Sequence, residues 1–350
     1  MIRRLNEVQD YQDTSKIHAN VSTYRNGGAV LKKQFILIIL ITIVILPGCS
    51  YFEGSNLQNV GMIFDTTIDS NTWSEEGYQS LMEIEQEFDI DVFYKENIRT
   101  EKEVLRAVDE LVQEGVNLII GHSNIFGNYF VDITETYPDV HFVYTNGAIY
   151  NPSVTSLNFN THAIGFFSGM VAGEMSENQD IGVIAVYSWQ QELEGFYEGV
   201  KYQNPTANIR IDFVNDWEDE DQALKLYEDF KNAGIDIILP VGNAFSEAVI
   251  ERAAEDKIYS IGYMADQFEI APDYVLTSMI QHVDELYLDV VQSFNKGDLS
   301  GGIQTYDFKD DIISLGTFNE AIPEEFQNEI RDAIEEYKET DLLPNERNDS

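Results

Sequence analysis

From residue 59 onward, short apolar runs alternate with stretches of helical periodicity, and this happens twice along the chain. In the first series, residues 60–64, 91–94, 116–120 and 140–144 read as buried strands. Asn71 is placed to cap a helix whose first turn holds Glu75 and Glu76, favourable at the positive helix end. Thr100-Glu101-Lys102-Glu103 is a capping box, with Val104, Leu105, Val108, Leu111 and Val112 following at helical spacing and Gly115 as the stop. The second series predicts helices over 162–175, 190–202, 219–233 and 244–254, with strands over 181–186, 209–214, 235–239 and 258–263 between them. A strand near Val275, a helix over 283–294 and a helix over 323–338 complete it, with Pro323 suited to the first helical position. Strands spaced by helices build parallel sheets from βαβ units. The fold class expected is therefore α/β, with two doubly wound parallel-sheet lobes and a ligand cleft between them. Gly165, Gly169 and Gly173 fall on one side of a helix, which reads as a close-packing face rather than a membrane dimer motif.

Ahead of these series, residues 35–46 form an unbroken apolar run of twelve, short for a span of about 30 Å but suited to a signal peptide. Lys32 and Lys33 precede it and Leu46-Pro47-Gly48-Cys49 follows, a tetrad that resembles the lipobox of bacterial lipoproteins. The small residue before the thiol suits a peptidase, and the thiol suits a diacylglyceryl group. Residues 31–48 are thus expected to be a lipoprotein signal peptide, Cys49 the lipidation site and 49–58 a lipid-anchored tether. Residues 1–30, polar and patternless, are expected to be an extra segment whose codons precede the true start. The lobes are assigned to 59–160 plus 277–302 and to 161–276 plus 303–339, with a disordered tail over 340–350.

Charge and motif content exclude several functions. The chain carries 62 acids and 21 bases, a formal net charge of −41. Without residues 1–48, which hold three acids and six bases, the remainder stands at −44. Such a surface repels phosphate backbones, so no nucleic-acid partner is expected, and no basic helix-turn-helix precedes the lobes. One cysteine permits no intramolecular disulfide and no thiolate metal cluster. There is no phosphate loop, HExxH, GxSxG or GxGxxG, and the five histidines are scattered, so neither enzyme activity, metal nor cofactor is expected.

The strand-end residues, taken together, carry a resemblance. Asp65, Trp73-Ser74, Asn146, Gly195-Phe196, Gly199, Trp217, Asp219, Gly262-Tyr263-Met264-Ala265-Asp266-Gln267 and Leu276-Thr277-Ser278 follow an order similar to the basic membrane protein family of substrate-binding lipoproteins. The resemblance covers residues 59–338. It implies the type I periplasmic-binding fold, and characterised members bind purine nucleosides for an ABC importer. Tyr94-Lys95-Glu96, Gly115-Val116-Asn117-Leu118, residues 165–170, Phe294-Asn295-Lys296-Gly297 and Gly316-Thr317-Phe318 resemble most a regulatory member, a lipoprotein acting positively on competence. That likeness implies an extracytoplasmic, lipid-anchored protein with a membrane protein or ABC permease as partner.

The resemblance also places the ligand-cleft candidates: Asp65, Trp73, Ser74, Asn146, Phe196, Gly199, Trp217, Asp219, Met264, Asp266 and Gln281. Nucleoside binders of the family stack a ring on the base, place an Asn beside it, hold the ribose with Asp side chains and set a Lys deep in the cleft. This chain keeps the ring as Trp73 but has Ser74, Asn146, Met264 and Gln281 at the polar positions, leaving Asp266. A thioether cannot take two ribose hydroxyls as a carboxylate does. Each buried charged hydrogen bond lost costs about 1.5–3 kcal/mol, so two or three remove on the order of 10³ in affinity. The small-molecule ligand expected is nucleoside-like at most. Trp73 and Phe196 also suit a core, Asp65 and Asp219 a strand end or helix cap, and Asp266 a turn. Trp217 suits a cleft wall or an exposed partner anchor.

Overall fold

The computed structural model describes residues 56–347, so the expected signal peptide, Cys49 and most of the expected tether lie outside the described residues. The described residues make one compact unit. Its first half runs β1 (Asn59–Ile63), α1 (Thr72–Phe88), β2 (Val92–Lys95), α2 (Glu101–Gln113), β3 (Val116–Gly121), α3 (Phe126–Ile133), β4 (His141–Thr145) and β5 (Val154–Phe159). The second half runs α4 (Thr161–Met175), β6 (Asp180–Ala185), α5 (Gln191–Gln203), β7 (Asn208–Phe213), α6 (Glu220–Ala233), β8 (Ile237–Val241), α7 (Ser246–Glu255), β9 (Tyr259–Met264) and β10 (Val275–Gln281). The chain then returns through α8 (Val283–Lys296) and β11 (Gly302–Tyr306), and ends with β12 (Ile313–Leu315) and α9 (Glu324–Thr340).

Two six-stranded sheets result, ordered β11-β5-β4-β3-β1-β2 and β12-β10-β9-β8-β6-β7. All pairings are parallel except β10 with β12. Both therefore repeat one winding, in which the first strand of the lobe lies between the second and third. Asn71 caps α1 through its side chain, the Thr100–Glu103 box closes α2, and Gly115 and Gly234 take left-handed backbone past their helices. Pro323 stands one residue before α9 rather than inside it.

The chain crosses between sheets three times, and two boundaries differ from the sequence expectation. Residues 277–280 pair with β9 in the last parallel strand of the second sheet, while 302–306 pair with β5 in the first. The crossovers thus follow Gln281 and Tyr306. The tail also differs: Leu343 is buried in the core against α9, and Arg347 donates to the Ala333 carbonyl and the Glu336 carboxylate, so the chain is ordered to residue 347. An apolar side chain following the helix, in Leu342-Leu343, supplies the anchor that a polar tail would lack.

Helices α4 and α5 pack at backbone contact. A Cβ on Gly165 or Gly169 would run into the α5 backbone, and one on Gly195 or Gly199 into the carbonyls of His162 and Phe166. The glycine row is a packing face, as expected.

Candidate functional site

Ligands of doubly wound sheets lie outside the carboxyl ends of the strands where strand order reverses. In the first lobe that point falls between β1 and β3, in the second between β6 and β8. The segments there are 64–67, 122–125, 186–190 and 242–245. The lobes touch across them. Thr72 Oγ1 donates to the Asn243 carbonyl at 3.4 Å. Arg99 donates through Nε to the Asp65 carbonyl at 2.6 Å and through Nη2 to Glu218 Oε1 of the second lobe at 3.3 Å.

Trp73, in the first turn of α1, stacks on His122 with ring centroids 4.2 Å apart and planes 13° from parallel. Its indole N–H donates to the His122 carbonyl at 3.2 Å. His122 Nε2 lies 2.7 Å from the Trp73 carbonyl and Nδ1 2.5 Å from the Tyr287 hydroxyl. A carbonyl only accepts, so Nε2 carries the proton and Nδ1 accepts from the tyrosine; the imidazole is neutral. Burial drives its pKa down to about 3, opposed by the bond to Trp73. Gly77 makes room for this ring, since a Cβ there would come within 2.5 Å of Nε2.

The neighbouring candidates are also engaged. Ser74 is buried, its hydroxyl 2.7 Å from that of Thr66. Asp65 accepts from Ser123 Oγ at 3.1 Å, and burial pushes its carboxyl above the usual range against that bond. Asn146 is exposed in left-handed backbone after β4.

In the second lobe, Phe196 and Gly199 lie in the α4–α5 packing face, not at the strand ends; Phe196 is fully buried. Asp219 caps α6 by accepting from the Gln222 N–H at 2.9 Å. Met264 is buried at the end of β9 with φ of 73°, and Gln281 is buried at the end of β10 before the crossover. Asp266 accepts from the Thr317 N–H at 3.0 Å and hydroxyl at 2.7 Å, and from the Phe268 N–H at 3.3 Å. Burial raises its carboxyl pKa, but these bonds outweigh it and hold the group low. Trp217 packs edge-on against Tyr187 and Trp189.

Sequence reasoning missed the polar floor of this lobe. Buried Glu192 accepts from Thr161 Oγ1 at 2.8 Å, Tyr263 OH at 3.0 Å and Gln190 Nε2 at 3.2 Å. Gln267 accepts from the Tyr263 N–H and donates to Ser246 Oγ, both at 2.9 Å. Nothing in sequence separates Glu192 from 61 other acids. His122 had one signal, its place directly after a strand in the first lobe. Among the described residues, the buried Oδ1 of Asn243 and Oγ1 of Thr145 have no hydrogen-bond partner, and no cluster of three or more His, Cys, Asp or Glu is arranged to hold a metal. None of the described helices is long and apolar enough to cross a membrane.

Two doubly wound lobes, joined by three crossovers with polar strand ends facing each other, define a periplasmic-binding-type fold. An ABC solute-binding protein from Conexibacter woesei shares this fold at a TM-score of 0.68, with 16% identity over 82% of this chain and 99% of its own. The chain belongs to the Bmp family, whose model, described as ABC transporter substrate-binding protein PnrA-like, matches residues 57–345. It is similar to the transcriptional activator protein Med of Bacillus subtilis, with 37% identity over 311 residues, 88% of this chain and 98% of the relative. A crystal structure of a transcriptional activator of the comK gene from Bacillus halodurans superposes at a TM-score of 0.78, with 39% identity over 81% and 99% of the two chains. A purine-binding protein of Brucella abortus is 22% identical over 232 residues, 65% of this chain and 66% of the relative.

Proposed function

We propose that this protein is a lipid-anchored, extracytoplasmic, non-catalytic regulator that promotes competence indirectly, through a membrane protein partner. Its likeness to Med and to the comK activator supports the regulatory role. The net charge of −41 supports an indirect route, because DNA repels such a surface. Cys49, behind an apolar run of signal-peptide length, is the anchor.

One observation carries the reading against nucleoside transport. The residues that would hold a nucleoside are engaged inside the protein: Trp73 by His122, Ser74 by Thr66, Asp266 by Thr317. The importer reading is favoured instead by Asn243, whose buried Oδ1 is an acceptor left open where the lobes meet. A thermal-shift screen of nucleosides, nucleobases and sugars separates them. A ligand at 100 times its dissociation constant adds about 2.7 kcal/mol to the folded state. The regulatory reading expects no shift from any nucleoside; a rise of several degrees would overturn it in favour of an importer subunit.

A further inference from the structure

At the mouth of the cleft on the second lobe, three aromatic rings form a platform in which Trp189 is exposed and Tyr187 and Trp217 are half-buried. Tyr187 and Trp189 stack at 5.6 Å with planes 13° apart, and Trp217 meets them edge-on at 5.8 and 6.2 Å. Trp189 is 63% exposed, the most exposed of the large apolar side chains described. Tyr187 is anchored from behind. Buried Gln190 accepts from the Val186 and Tyr187 N–H groups, and the Tyr187 hydroxyl donates to the Asn215 carbonyl at 3.1 Å. An exposed tryptophan stacked on an anchored ring supplies a large contact area, as interface anchors do.

The chemistry around it is one-sided. Asp216, Glu218, Asp219, Glu220 and Asp221 flank Trp217 in sequence and are all exposed. Of these five, Glu218 alone has an ion pair among the described residues, with Arg99 of the first lobe. The rings touch one another and enclose no gap for a caged ammonium group. A flat face beside carboxylates instead suits a planar guanidinium, which stacks on a ring and pairs with a carboxylate through two N–H groups. Arg99 already pairs with one of these carboxylates, Glu218, through a single N–H at 3.3 Å.

We propose that the Tyr187–Trp189–Trp217 platform and its acidic rim dock an arginine-bearing segment of a partner protein. The inference rests on the reading that the protein acts through a partner and names the surface it uses.

The test is a binding titration of the 55–350 body at 0.15 M salt with octa-arginine and octa-lysine peptides. Octa-arginine is expected to bind at least about tenfold tighter than octa-lysine, since lysine neither stacks nor forks. Trp189→Ala should remove about tenfold or more of the octa-arginine affinity, leave octa-lysine within about twofold and leave the unfolding temperature unchanged. Equal affinity for the two peptides, or an unaffected Trp189→Ala variant, would show bulk charge attraction alone and overturn the proposal. Displacement of octa-arginine by millimolar tetramethylammonium would overturn it in favour of a small-cation site. The nucleoside screen reads the regulatory role separately. A nucleoside shift with Trp189-dependent peptide binding retains the surface and removes that role; flat nucleosides with no Trp189 dependence do the reverse.

Discussion

His122 gives the sharpest test of how the first lobe is built. It is completely buried as a neutral imidazole, with its pKa held near 3 by desolvation, whereas in the unfolded chain it titrates near 6.5. Between those values the unfolded chain binds a proton that the folded one refuses, so stability from this group is present above pH 6.5 and lost as pH falls. From pH 7 to 4.5 the loss comes to about 2.5 kcal/mol. His122→Gln supplies a non-titrating donor to the Trp73 carbonyl. It forfeits the ring stack, about 0.5–1.5 kcal/mol, and leaves the Tyr287 hydroxyl without its acceptor, about 1–3 kcal/mol. At pH 7 the variant should therefore be less stable by about 2–4 kcal/mol. Urea unfolding at pH 7 and 4.5 should show the two proteins converging, with the variant losing about 2.5 kcal/mol less on acidification. His141, also driven down by burial, to about 4, titrates in both proteins and cancels in the comparison. Parallel losses would mean that His122 is not held neutral between Trp73 and Tyr287, and the engaged-cleft reading would fall with it.

Two further substitutions probe packing and anchorage. Gly199→Ala adds a methyl that meets the Phe166 carbonyl, so the helix-propensity gain of about 1 kcal/mol should be outweighed by overpacking of about 1–3 kcal/mol. A lower unfolding temperature is expected, and a higher one would deny the α4–α5 contact. Cys49→Ser should move the protein from the membrane fraction to the medium, because stable attachment takes the two or more acyl chains that a lipidated amino-terminal cysteine carries. Retention would show that another segment anchors it.

What could be read in sequence was whatever local chemistry determines. Capping residues, stop glycines and apolar runs located β1 to β4, α1 and α2, and the repeated series, because each signal lies within a few residues of the element it sets. Three strands go unread: β5, a buried run broken by Thr155, Ser156 and Asn158, and two that lack such signals. β11 alternates half-buried and exposed residues and sits at a sheet edge; β12 has three residues. The lobe boundaries depend on which partner a strand finds, a long-range choice that residues 277–306 do not declare. The site candidates divide in the same way. Asp219 as a cap and the glycine row as a packing face follow from near neighbours. The stacking of Trp73 on His122 joins residues 49 apart, and the buried Glu192 is satisfied by groups from a helix, a strand and a loop.

The engagement of the cleft residues bears on how such a fold changes use. A buried polar group without a partner costs about 1–3 kcal/mol, so a cleft that gives up its ligand must satisfy the groups left behind. In the first lobe the buried Ser74 is answered by a threonine and the half-buried Trp73 is stacked on an imidazole; in the second, Asp266 is exposed and accepts from both Thr317 donors. Asn243 Oδ1 and Thr145 Oγ1 are the buried exceptions among the described residues. Two orphaned oxygens, one in each lobe, offer far less than the carboxylates and lysine that grip a nucleoside. The contact between lobes is correspondingly light. Arg99 and Glu218 are each 57% exposed, and such a pair is worth about 0.2–1 kcal/mol. That is too little to lock the lobes shut. It is also a pair that a second guanidinium, arriving on the Trp189 face, would compete for on equal chemical terms, so the docking surface and the relation between the lobes share one carboxylate.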